Sequence, residues 1–221
     1  MCQKKSSTLR PSKTFVEDPS DMDWEPDYSN FIVTGKGGIA MAYDMRGAIE
    51  SEWNLPDEAD IVTGTTSGDA CYLVSQQSQL YEYSITNLEF TEDHGKCFEQ
   101  TIRKFAINER YVFGCTASNV IIKYSLAEKK LHKSLGKLVD GNVSEIYASK
   151  EFLWIADDQN NLKQFHIELE QTLQTYPEVF ESPIIIMGHF KTTVVAVDRK
   201  NNMKLFSAGN KKVRSDFGSI N

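Results

Sequence analysis

Short apolar runs alternate with polar turns along almost the whole chain, and the runs are too brief to be helices. The clearest set opens with Val143 to Ala148, breaks at Ser149 and Lys150, and resumes with the wholly apolar Phe152, Leu153, Trp154, Ile155 and Ala156. A polar turn from Asp157 to Asn161 leads into Leu162 to His166, and a more alternating run follows from Gln171 to Tyr176. An uninterrupted apolar run between turn residues predicts a strand covered on both faces, whereas alternation predicts one with a face in water. Four such runs in succession predict a four-stranded antiparallel meander whose last member is an edge strand.

The same order returns along the chain. One unit reads Ile184 to Ile186, Val194 to Val197, Met203 to Ser207 and Lys212 to Phe217; another reads Ile102 to Ile107, Tyr111 to Cys115, Val120 to Ser125 and Leu131 to Leu135. A third has Ile61 to Thr65, Cys71 to Ser75, Leu80 to Ser84 and Leu88 to Thr91. The first unit has Phe31 to Val33, Ile39 to Asp44 and Ile49 to Trp53, but its opening strand would fall at Asp21 to Pro26. A proline and three acids there discourage a ladder, so no strand is expected.

Two columns keep time through these units. An aromatic recurs at Tyr43, Tyr83, Tyr124, Phe165 and Phe206, at intervals of 40, 41, 41 and 41 residues, and an apolar β-branched residue recurs every 41 at Ile61, Ile102, Val143 and Ile184. The phrase Asn160 to His166 itself returns as Asn201 to Ser207. Tandem units of this length, each of four strands with no helical pattern between them, predict an all-β fold, a β-propeller with about five blades visible. The expected blades are about 21–57, 58–99, 100–140, 141–181 and 182–221, within a propeller domain 21–221. Residues 1–20, polar and basic with two prolines, are expected to form a disordered leader.

The blade ends resemble the WD-repeat family, in which the third strand closes on Trp-Asp. The equivalent pairs here are Tyr43-Asp44, Tyr83-Ser84, Tyr124-Ser125, Phe165-His166 and Phe206-Ser207, keeping the aromatic but not the tryptophan. The family also carries a Gly-His pair before the first strand and an Asp in the turn before the third. Gly188-His189 falls instead in what reads as the turn after the first strand, and Asp157, Asp158 and Asp198 lie a residue or two early in their turns. The second and third units have no acid there. The resemblance implies a rigid platform for other proteins. Because such propellers are usually seven-bladed, five units leave three alternatives: a fragment of a longer array, a closed five-bladed ring, or open ends that pair with another subunit. An incomplete ring is preferred, with uncovered apolar faces near 31–44 and 194–206.

Composition narrows the chemistry. Of 221 residues 40% are apolar, enough for a substantial core, and the net charge of −7 opposes a nucleic-acid partner. No stretch reaches the roughly 20 apolar residues that span a bilayer, and no secretory block opens the chain, so a soluble cytoplasmic protein without membrane insertion is expected. Cys2, Cys71, Cys97 and Cys115 are too few and too irregular for a disulfide framework and read as thiols.

His94, His132, His166 and His189 have no CxxC or HxxxH companion, and no metal site or cofactor is expected from such spacing. Gly35-Lys36-Gly37-Gly38 lacks the full phosphate-loop spacing and reads as a tight turn. Carboxylate pairs such as Asp157-Asp158 read as solvated loops, and no Ser, His and Asp set stands in a catalytic context. The expected function is therefore a non-catalytic protein-interaction scaffold. It would bind proteins or peptides, a basic segment in particular, on the face where the second-to-third strand turns gather with the connections between blades. Candidate contacts are Gln76, Gln77, Ser118, Asp157, Asp158, Asn160, Arg199 and Lys200, with Trp53 as an aromatic anchor and Trp24 as another interface candidate. The alternatives are a structural subunit of a larger coat or ciliary assembly, and an enzymatic propeller with a site in its central channel.

Overall fold

The computed structural model describes residues 21–25, 30–44, 46–67, 69–87, 89–190, 193–207 and 213–219. The expected leader and Cys2 lie outside them. Five four-stranded antiparallel sheets follow one another, each a simple meander in chain order. The first blade holds β1 (Asp21–Glu25), β2 (Asn30–Thr34), β3 (Ile39–Asp44) and β4 (Ile49–Asn54). The second holds β5 (Ile61–Ser67), β6 (Ala70–Ser75), β7 (Gln79–Ser84) and β8 (Glu89–Lys96). The third holds β9 (Ile102–Ile107), β10 (Tyr111–Thr116), β11 (Ile121–Ser125) and β12 (Lys130–Gly136). The fourth holds β13 (Val143–Ala148), β14 (Phe152–Asp157), β15 (Leu162–His166) and β16 (Gln171–Tyr176). The fifth holds β17 (Ile184–Phe190), β18 (Thr193–Asp198), β19 (Asn202–Ser207) and β20 (Val213–Ser219).

Two expectations are corrected. An opening strand does form at Asp21–Glu25, paired with β2 from Asp21↔Thr34 to Glu25↔Asn30. Pro26 falls just beyond it, so no ladder donor is lost, and a strand paired along one side tolerates charge. Gly188 and His189 lie inside β17 rather than in a turn, because pairing with β18 continues to Phe190↔Thr193.

The first strands pack on one another in chain order, β1 on β5, β5 on β9, β9 on β13 and β13 on β17, which places them around a common axis. Among the described residues β17 and β1 share no packing of that extent. Each seam between blades buries its own apolar cluster, since strand alternation gives every blade two faces that must both be covered. The aromatic column looks back at the preceding blade: the Tyr83 hydroxyl donates to Asn54 O at 3.2 Å and that of Tyr124 to His94 O at 3.4 Å. Phe165 and Phe206 are buried in the next two seams.

The opposite face looks forward. Phe113, Cys115 and Ile121 of the third blade, and Trp154, Ala156 and Leu162 of the fourth, are all 0% exposed beneath the next blade. Their counterparts on the fifth blade, Val195, Val197 and Met203, are only half-buried, as is Leu205 beside them, and Ile186 is 59% exposed. The face expected to be uncovered near 194–206 is thus partly covered. On the first blade Met41 is buried and Val33 and Tyr43 are half-buried.

Candidate functional site

The turns between second and third strands share one construction. Each opens on a short oxygen-bearing side chain, Thr34, Ser75, Thr116, Asp157 or Asp198, and carries a left-handed residue three positions later. Those residues are Gly37, Ser78, Asn119, Asn160 and Asn201, with φ of 71, 66, 64, 66 and 63°. Glycine and asparagine suit this conformation, and it bends the chain back into the next strand. Asp157 Oδ1 accepts from the Gln159 and Asn161 amides at 3.0 and 2.9 Å, and its Oδ2 accepts from Asn161 Nδ2 at 3.0 Å. Asp198 repeats this with Lys200 N, Asn202 N and Asn202 Nδ2 at 2.9, 2.8 and 2.9 Å.

The second and third blades do the same job with hydroxyls. Ser75 Oγ accepts from Gln77 N at 3.3 Å, and Thr116 Oγ1 from Val120 N at 3.2 Å. Burial alone pushes the Asp198 carboxyl up, but hydrogen bonds from Asn202, Ser182 and Lys200 outweigh it and hold the group below its ordinary value.

Backbone bonds tie these turns to the connections between blades: Leu55 N donates to Gly38 O at 2.8 Å, Cys97 N to Ser78 O at 3.1 Å and Val179 N to Asn160 O at 3.0 Å. Turns and connections therefore form one face of the propeller. On it Gln76, Gln77, Ser118, Asp158, Arg199 and Lys200 are exposed, and Asn160 is half-buried. Asp158 also fastens the connection into β13, accepting from Asn142 N and Nδ2 at 2.9 and 2.7 Å.

Two candidates are placed elsewhere than expected. Asp157 is 2% exposed and consumed by its own turn. Trp53 is 5% exposed and stacks on Tyr83 of the next blade, with ring centroids 5.2 Å apart, so it is a seam residue rather than a surface anchor. Trp24 lies in β1, next to the axis.

A cleft of about 560 Å³ opens on this face where the β6–β7 turn meets the connection from β8 to β9. Gln76, Gln77 and Gln79 line one side and Lys96, Glu99 and Gln100 the other. The lining is rich in primary amides, each offering donors and an acceptor to a polar backbone. Glu99, Gln100 and Lys96 were not among the sequence candidates, although the polar composition of 99–101 marks that connection as a surface segment.

Three charged side chains on β9 and β13 are already engaged. Lys104 on β9 meets Glu145 on β13 at 2.7 Å across a seam, and Arg103 donates to Thr116 O at 3.4 Å and Asn119 Oδ1 at 2.5 Å. Among the described residues one trio has metal-ligand character, Glu82, Glu92 and His94, on the outer part of the second blade. No helix is long and apolar enough to cross a membrane among the described residues.

The molecule is, by its architecture, a five-bladed β-propeller of four-stranded antiparallel blades. The chain matches no known family model and no curated protein.

Proposed function

We propose that this chain is a WD-repeat-like propeller that acts in the cytoplasm as a platform for other proteins and performs no chemistry of its own. The observation that carries this reading is the turn face, where the turns at Ser75, Thr116, Asp157 and Asp198 are braced internally and leave Ser118, Arg199 and Lys200 exposed, with Gln76 and Gln77 exposed at an amide-lined cleft. A rigid scaffold presenting adaptable polar groups suits recognition of an extended peptide. The overall charge of −7 favours a basic segment as the occupant.

The test compares proteins crosslinked to the wild-type chain and to a Gln76→Arg/Gln77→Arg variant, with each partner's affinity then measured at low and physiological salt. Partners should be lost about tenfold or more in the variant and should weaken as salt rises. An unchanged partner set, or binding indifferent to salt, would refute the proposal.

A structural role in a larger assembly is the second reading, supported by the half-covered face of the fifth blade. It predicts self-association or co-purification of a partner that buries Ile186, and a monodisperse monomer in solution argues against it.

A further inference from the structure

The third strand of the second blade carries a carboxylate where the corresponding positions of the other blades have Ala42, Lys123, Gln164 and Leu205. That residue is Glu82, and the ladder sets it directly opposite Glu92 on β8 and Tyr72 on β6. Like charges in directly opposed cross-strand positions destabilise a sheet unless a cation lies between them. His94 stands two residues beyond Glu92 and so on the same face of β8. Its Nε2 lies 2.8 Å from Glu82 Oε2 and 3.8 Å from Glu92 Oε2.

Three further observations point to a ligand. The His94 side chain is only 5% exposed and presents Nε2 to both carboxylates, while Nδ1, on the other side of the ring, is buried without a partner. Tyr72 lies directly across the ladder from Glu82, and Lys129 of the third blade binds Glu92 through Oε1, which leaves Oε2 turned toward His94. The Glu92 carboxylate is thus oriented from outside, as metal ligands commonly are. The three ligand atoms lie within 4.8 Å of one another, and tetrahedral ligands about 2.1 Å from a zinc ion stand about 3.4 Å apart.

We infer that Glu82, Glu92 and His94 form a site for a borderline divalent cation of the zinc class, with a fourth position open to water beside the partly exposed Glu92. One imidazole and two carboxylates match that class, whereas calcium and magnesium demand more oxygen ligands. The cation would staple β7 to β8 next to the seam with the third blade. Its rival for the same charge is a proton on His94, and the two are separated by direct binding.

The reduced full-length chain, stripped with a chelator, is titrated with Zn²⁺ in competition with a chromophoric chelator, and with Co²⁺ as a spectroscopic probe. One equivalent should bind, with a Co²⁺ spectrum free of thiolate charge-transfer bands. Glu82→Gln and His94→Gln should each weaken binding by about 100-fold, and Tyr72→Phe by about tenfold at unchanged stoichiometry. Glu92→Gln, on the more exposed ligand, serves if either core variant misfolds by circular dichroism, and His132→Gln should leave binding intact. Absence of saturable binding, a thiolate band, or affinity indifferent to these ligand substitutions overturns the site.

Discussion

Trp154 offers the sharpest test of how the seams hold the propeller together. It is fully buried between the fourth and fifth blades, with Tyr176 stacked at 6.2 Å and Phe206 at 6.5 Å between ring centroids. Trp154→Ala removes the side chain that fills this seam, and truncations of this kind cost about 3 to 5 kcal/mol. Trp154→Phe behaves differently because the indole Nε1 is buried without a hydrogen-bond partner. Phenylalanine gives up about 40 Å² of apolar contact, about 1 kcal/mol at 25 cal/mol/Å², but it also removes an unpaired donor whose burial costs about 1 to 3 kcal/mol. The two effects nearly cancel, so Trp154→Phe should lie within about 1 kcal/mol of wild type. Urea unfolding followed by far-UV circular dichroism measures both. If Trp154→Phe were as damaging as Trp154→Ala, the indole nitrogen would have to be satisfied, and the account of this seam as purely apolar packing would fail.

Other expectations follow from the same structure. Tyr176 has a buried hydroxyl without a partner, so Tyr176→Phe should leave stability unchanged or raise it by about 1 kcal/mol in the same unfolding assay. Asn160 holds φ at 66°, so Asn160→Ala should cost about 1 kcal/mol more than Asn160→Gly, a difference that vanishes if the turn relaxes. Asp198 titrates below its ordinary value of 3.8, so its stabilising effect is complete above the unfolded value and lost as pH falls through the lower folded one. The stability difference between wild type and Asp198→Asn should therefore be constant above about pH 4 and shrink as the pH falls below it, and a difference that does not change with pH would contradict this.

The periodic architecture was readable because every blade makes the same demand at the same place: an aromatic reaching back across a seam at Tyr83, Tyr124, Phe165 and Phe206. The turn construction was only half readable. Acids mark the turns at Asp157 and Asp198, but a hydroxyl at Ser75 or Thr116 accepts the same kind of amide, and the left-handed column of Ser78, Asn119, Asn160 and Asn201 is what reveals the equivalence. Trp53 misled because acids flank it in sequence, whereas its surroundings are set by Tyr83, 30 residues away across a seam. The Glu82, Glu92 and His94 trio was half visible, since Glu92 and His94 share a strand face by their spacing. Glu82 joins them only through a ladder whose register shifts on either side, between Leu80 and Tyr81 and between Glu82 and Tyr83.

Glu92 of the second blade meets Lys129 of the third, while Lys123 and Lys133 of the third meet Glu170 of the fourth, and Lys129 and Glu170 occupy equivalent turns. Polarity is thus inverted from one joint to its neighbour. Were the fourth module to dock on the second, Glu170 would confront Glu82 and Glu92; were two copies of the third to stack, lysine would face lysine. Near-identical modules invite shuffling and exchange between chains during folding, and this alternating code penalises both errors while leaving the correct sequence of modules attractive.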